Sequence, residues 1–185
     1  MSATQPHVAA ARIIQDAGGE LVGRTRLQKV AFLMQLAGFD NSFSFEYRHY
    51  GPYSEELSQA MDIAVLLGPV NEVERQADWG GRYSIYSLSE QVTGVDQDTE
   101  RAHFVQEAKK IDAVELELAA TAAYLFEIEG IGKVYPGNPW EETARRKPTK
   151  VVGGRLAKAA QAYEELRKVN AVNPLPELPP LGQSI

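Results

Sequence analysis

The stretch Gly23 to Leu57 reads GRTRLQKVAFLMQLAGFDNSFSFEYRHYGPYSEEL, a dense apolar helix running into an aromatic alternation and then into a second helix start. Thr25, three residues before Gln28, has the spacing of a capping box, so a helix is expected from about Thr25 to Gly38. Leu27, Val30, Ala31, Phe32, Leu33, Met34, Leu36 and Ala37 cover more than one stripe of it, the pattern of a helix buried on most sides. Arg24, Arg26, Gln28, Lys29 and Gln35 are left to face water, with the three cations at the N-terminal end, where they invite an anionic partner. Phe43, Phe45 and Tyr47 alternate with polar residues as in a half-buried strand, and Tyr50-Gly51-Pro52-Tyr53 should break it. Ser54 followed by Glu55 and Glu56 predicts an N-cap with first-turn acids. Leu57, Ala60, Met61, Ala64 and Leu67 then form an inner face that ends at Gly68-Pro69.

Upstream, Val8, Ala11, Ile13 and Ile14 mark a helix from His7 to Ala17, stopped by Gly18-Gly19 and followed by the short apolar pair Leu21-Val22. Downstream, Val70 to Gln76 and Arg82 to Leu88 read as two strands joined by the loop Ala77-Asp78-Trp79-Gly80-Gly81. Tyr83, Ile85 or Tyr86, and Leu88 are the residues expected to return to the core, with Trp79 at the loop tip. Glu90 to Asp98 looks like a polar connection. Ala102 to Ile128 is strongly helical with a break expected between Lys110 and Ala113. Asn138-Pro139-Trp140-Glu141-Glu142 has the cap, proline and acids of a helix start, and a last helix runs to Val169 burying Leu156, Ala159, Tyr163 and Leu166. The proline-rich tail should be extended or disordered.

These elements define a mainly helical α+β protein. Residues 1–95 form a winged-helix-like part with a three-stranded antiparallel sheet, residues 96–169 a helical part packed on it, and residues 170–185 the tail. The 185 residues are 44% hydrophobic, enough for a proper core, and the net charge of −6 means that the surface as a whole does not attract nucleic acid or anionic lipid. With no cysteine, disulfides, thiolate zinc sites and cysteine nucleophiles are excluded. The N-terminus lacks a signal-peptide pattern and no run approaches the roughly 18 apolar residues of a membrane span, so a cytoplasmic protein without a membrane partner is expected.

No enzyme signature is present. Gly153-Gly154-Arg155 lacks phosphate-loop spacing, and His7, His49 and His103 belong to no ligand pair. His49 beside Ser54 and Glu55 resembles the ingredients of a hydrolase only by residue type; a hydrogen-bonded corner is the simpler reading. The protein is therefore expected to be non-enzymatic and to need no cofactor or metal. The partner-binding candidates are Arg24, Arg26, Lys29, His49, Tyr50, Tyr53 and Trp79, the last because a hairpin-tip tryptophan cannot easily reach the core. A rival reading is a DNA-binding winged-helix regulator using Arg145, Arg146, Lys147, Lys150, Arg155 and Lys158, against which stands a third helix, SEELSQAMDIAVLLG, with acids and no Lys or Arg. For that basic run the alternative is a solvated face balanced by Glu141, Glu142, Glu164 and Glu165.

Leu27-Gln28-Lys29 followed by Tyr50-Gly51-Pro52 and Ser54 resembles the YwgA-like proteins and, more distantly, the SocA-type Panacea antitoxin domain; the likeness extends more weakly through Tyr86-Ser87-Leu88-Ser89, LELAATAAYLFE and ARRKPTK. The resemblance implies a non-enzymatic bacterial or phage-associated domain that binds a protein partner, such as a toxin or regulator encoded nearby.

Overall fold

The computed structural model describes residues 4–89, 92 and 98–182. The polar connection expected over Glu90 to Asp98, and with it the boundary between residues 95 and 96, falls almost wholly outside the described residues. In chain order the elements are α1 (Pro6–Asp16), β1 (Glu20–Val22), α2 (Arg24–Leu36), β2 (Glu46–Arg48), β3 (Gly51–Tyr53), α3 (Glu55–Leu67), β4 (Val70–Gln76), β5 (Arg82–Leu88), α4 (Thr99–Lys110), α5 (Ala113–Glu127), α6 (Pro139–Arg146), a single 3-10 turn (Val152–Gly154) and α7 (Arg155–Arg167). The protein is α+β and mainly helical, as its patterning predicts.

Side-chain caps set several of these starts by satisfying the first free N–H groups. The Leu57 amide donates to Ser54 Oγ at 3.1 Å, the Arg101 amide to Asp98 at 3.0 Å, the Val114 amide to Asp112 at 2.9 Å and the Trp140 amide to Asn138 at 2.9 Å. Asp112 is why the long helical run breaks where it does: α4 stops at Lys110 and a new cap opens α5.

The three-stranded antiparallel sheet has the order β1-β5-β4, with β1 held to β5 by Glu20 opposite Ser87 and Val22 opposite Ile85. Its third strand is thus the short Leu21-Val22 segment. The aromatic run contributes only β2, which pairs with β3 in a separate hairpin, Glu46 opposite Tyr53 and Arg48 opposite Gly51. Gly51-Pro52-Tyr53 therefore folds back as a strand instead of ending one. The run is short because Phe43 is buried and the Phe45 ring packs edge-on against Phe32 of α2, 5.4 Å between centroids, so both are drawn out of ladder geometry. In β5 the inward positions are Ser84 and Tyr86, leaving Tyr83 on the outside. Leu67 is also exposed: α3 ends one residue later at Gly68, and Val70 takes the buried place at that end.

One apolar cluster runs through both parts of the chain, joining Leu33, Leu57, Phe104, Leu116, Trp140, Tyr163 and Leu178. α5 is its centre: every residue from Leu116 to Leu125 is buried, and the helix packs against α2, β3, α6 and α7. The tail is extended, as proline content predicts, yet fastened. Asn173 N–H donates to Ala37 O at 2.9 Å, Tyr163 Oη to Pro176 O at 2.7 Å and Asn138 Nδ2 to Pro180 O at 2.8 Å, while Leu175 and Leu178 are buried. Gly38, at φ +79, makes room for it, since a Cβ there would lie 2.6 Å from the Asn173 amide.

A buried ion pair links α1 to α4: Arg101 donates through Nε and Nη2 to the two Asp16 oxygens at 2.7 and 3.1 Å, and each side chain is 7% exposed. Removing Arg101 leaves a buried carboxyl, already pushed up to about 7 by burial, with the field of Arg12 opposing, which costs far more than the pair gains. Arg101→Met is expected to lower unfolding free energy by about 3–5 kcal/mol at neutral pH, and the double variant Asp16→Leu/Arg101→Met to regain most of it, measured by urea unfolding.

Candidate functional site

The site is built on a buried polar base under the β2–β3 hairpin. Gln28 does not complete a capping box. The cap of α2 is Gly23, at φ +100 and without a side-chain bond, and Gln28 turns inward to hold the Ser54 backbone at both ends: its Nε2 donates to Ser54 O at 2.9 Å and its Oε1 accepts from Ser54 N at 2.7 Å. Lys29, expected on the surface, is 1% exposed. Its Nζ donates to Pro52 O at 2.7 Å, and that main-chain acceptor is what allows an amine to sit inside. Lys147, also expected to face solvent, is buried: its Nζ donates to His49 O at 3.0 Å and to Glu117 Oε1 at 2.8 Å, while Lys150 donates to Glu117 Oε2 at 3.0 Å. Burial pulls the Lys29 amine down to about 7; Glu117 opposes the shift, and Lys147 and Lys150 add to it. Gly51, at φ +88, closes over this base, where a Cβ would come 2.4 Å from Thr121 Oγ1.

Beside this base lies an open groove of about 530 Å³, between the N-terminal turn of α2, the start of α5, Tyr50 and the β4–β5 hairpin. Its walls include Val22, Val114, Tyr83 and Trp79, whose indole is 80% exposed and lies across Gly81. Arg24 is anchored to Glu72 at 2.7 Å and donates to Ser84 Oγ at 3.1 Å. The Arg26 guanidinium donates to main-chain carbonyls of Val22, Lys109 and Ile111. Burial lowers Arg26 from the usual guanidinium value, with Asp112 opposing. Lys150 stands 5.5 Å from the Tyr50 ring centroid, a cation–π distance. A smaller cavity of about 230 Å³ adjoins through Arg24 and Tyr50 and adds Tyr53, Met61 and Tyr86.

Of the partner-binding candidates, Arg24, Arg26, Tyr50 and Trp79 share the groove and Tyr53 the adjoining cavity. Lys29 lies beneath, and the His49 ring packs edge-on against Tyr50, 4.8 Å between centroids. Ser54 Oγ is buried and occupied as the α3 cap. The C-terminal basic run is divided among carboxylates: Arg145 and Arg146 hold Glu142, Arg146 also holds Glu129, Lys147 and Lys150 hold Glu117, and Arg155 holds Asp112, while Lys158 is exposed. Of the acids expected to balance this run, Glu142 does so, joined by three that sequence proximity did not suggest. Glu117 is the main residue missed; the signal for it is a single acid at an inward position of the apolar run Leu116 to Leu125. Among the described residues no group of three or more His, Asp or Glu could hold a metal ion, and no helix is long and apolar enough to cross a membrane.

Fold and groove together define an α+β protein with an open, cation-lined depression beside a β-hairpin. No protein-family model matches the chain. Over 85 residues it is 33% identical to the uncharacterized protein YwgA of Bacillus subtilis (strain 168), an overlap of 45% of this chain and 49% of that protein. The chain thus spans about half the length of the relative it matches.

Two measurements check this geometry. Lys29 binds a proton in the unfolded chain up to about pH 10.4 but releases it in the folded state above about pH 7, so its contribution to stability should rise as pH climbs through that window. In Lys29→Met that part of the slope should vanish; parallel stability–pH curves for the two proteins would show that the amine titrates normally. In Trp140→Phe, which leaves Trp79 as the fluorophore, the ratio of iodide to caesium quenching should exceed that of free N-acetyltryptophanamide by about twofold or more. A ratio equal to that of the free amide would mean that no positive field surrounds the indole.

Proposed function

We propose that this protein is a non-enzymatic interaction module that holds a protein partner in the groove beside the β4–β5 hairpin, acting as an antitoxin-like or regulatory factor in the cytoplasm of a bacterium or phage-infected cell. One observation carries the reading: Trp79, 80% exposed at the hairpin tip, stands over a groove that also collects Arg24, Arg26 and Tyr50. Tryptophan, tyrosine and arginine around a concave surface are the residue types that dominate binding energy at protein interfaces. The likeness to a bacterial protein, YwgA, supports the setting, and the resemblance of LQK and YGPYS to the Panacea domain supports the antitoxin-like role.

The alternative is a DNA-binding winged-helix regulator. The order α1-β1-α2-α3-β4-β5 with sheet order β1-β5-β4, the β2–β3 hairpin set aside, supports a winged-helix-like reading. However, α3, which would enter the major groove, exposes Glu55, Glu56, Asp62, Ile63, Leu66 and Leu67 and has no Lys or Arg. Acids there repel phosphates, and apolar side chains suit a protein surface better.

The test is co-expression of the tagged chain with the products of its neighbouring reading frames. One of them should form a stoichiometric complex that survives gel filtration, and Trp79→Ala or Tyr50→Ala should weaken it at least about tenfold, roughly 1.4 kcal/mol. Complexes unaffected by both substitutions would place the partner elsewhere. Duplex binding lost in Arg145→Gln/Arg146→Gln would favour the regulator.

A further inference from the structure

We infer that the groove takes an acidic peptide segment of the partner, one carrying an aliphatic or aromatic side chain among its carboxylates. This rests on the reading of the groove as a partner-docking site and names the chemistry of what docks there.

Charge complementarity is the first ground. Four cations, Arg24, Arg26, Arg82 and Lys150, line the groove against two carboxylates, Glu74 and Glu117, with Glu72 just outside the lining holding Arg24 at 2.7 Å. Both acids are already shared: Glu117 between Lys147 and Lys150, and Glu74 between Arg24 and Arg82, at 3.7 Å from each. Arg26 is fixed by carbonyl oxygens, which orient its guanidinium without a paired carboxylate to cancel its charge. A positive depression thus sits in a chain of net charge −6, and low-dielectric walls focus such a field on an incoming anion. The second ground is the walls themselves, where the exposed indole of Trp79 offers a non-polar side chain contacts that a bare anion would not use.

Size selects among polyanions. An open depression of about 530 Å³ has room for a few residues and not the width of a duplex.

The probe is a fluorescein-labelled dodecapeptide of glutamate and aspartate around a central leucine–tryptophan pair, followed by fluorescence polarisation on the full chain. Saturable binding is expected, weakening at least about tenfold between roughly 50 and 300 mM salt. Trp79→Ala and Arg82→Glu should each reduce affinity about tenfold with no change in melting temperature, because Trp79 and the Arg82 side chain are both 80% exposed. Equal binding of the peptide with lysine in place of its acids, displacement by oligothymidylate at matched charge, indifference to both substitutions, or no binding of the acidic peptide would each overturn the inference. A Trp79-dependent complex with a neighbouring gene product but no acidic-peptide binding would overturn this chemistry alone. Groove-dependent binding of the peptide without any such complex would support it while removing the proposed partner.

Discussion

A single carboxylate inside α5 constrains much of this structure. Glu117 is 3% exposed in the most buried helix of the protein, where an unpaired charge would be intolerable. Lys147 and Lys150, from the chain beyond α6, supply its ion pairs, and Lys29, from α2, lies within its field. Each buried amine then needs further acceptors, and the β2–β3 hairpin provides them through His49 O and Pro52 O. Satisfying one acid therefore ties α2, α5, the segment after α6 and the hairpin into one body. Apolar residues of like volume would often hold such a place equally well. What an ionic cluster adds is a fixed register, because each donor fits few acceptors.

The rigidity of that base is passed to the surface. With Pro52, Ser54 and His49 each bound through the main chain, the hairpin holds Tyr50 and Tyr53 on the groove side. On the opposite wall, Glu72 of β4 binds both Arg24 of α2 and Ser84 of β5, which sets the two-stranded hairpin against the start of α2. Trp79 is carried at the end of that lever. A groove whose walls are fastened at their roots and apolar at their tips loses little side-chain freedom when something binds, which favours affinity.

Much of this fold is legible along the chain because its signals are local. Ser54 capping α3, Asn138-Pro139 opening α6 and the Gly-containing loop between β4 and β5 each depend on neighbours within a few residues. The misread parts depend on distant partners. β1 is three residues long and exists because β5, more than sixty positions later, pairs with it. Lys29 looks like a surface cation by spacing, since periodicity reports which face a residue occupies and not whether an interior acceptor awaits it. The tail has the composition of a free segment, and only Ala37, Asn138 and Tyr163 show what anchors it. Of the site, the exposed indole and the basic start of α2 were readable, whereas Glu117 sat unnoticed in an apolar helix.

The two basic stretches show why charge counting along a sequence misleads and pairing in space does not. The C-terminal run is the denser, yet five of its six cations are held in ion pairs by four acids, Glu142, Glu129, Glu117 and Asp112. The start of α2 has fewer cations, and one of them, Arg26, is held by carbonyl groups that take its hydrogen bonds but carry no net charge. Exposed ion pairs contribute little to stability, so the run is chiefly a screened surface. A cation fixed by neutral acceptors keeps its long-range field, and Arg26 lies beside the apolar walls Val22, Val114 and Trp79. Arg26 thus keeps a charge that its hydrogen-bond partners do not cancel, as exposed Lys158 does in the denser run.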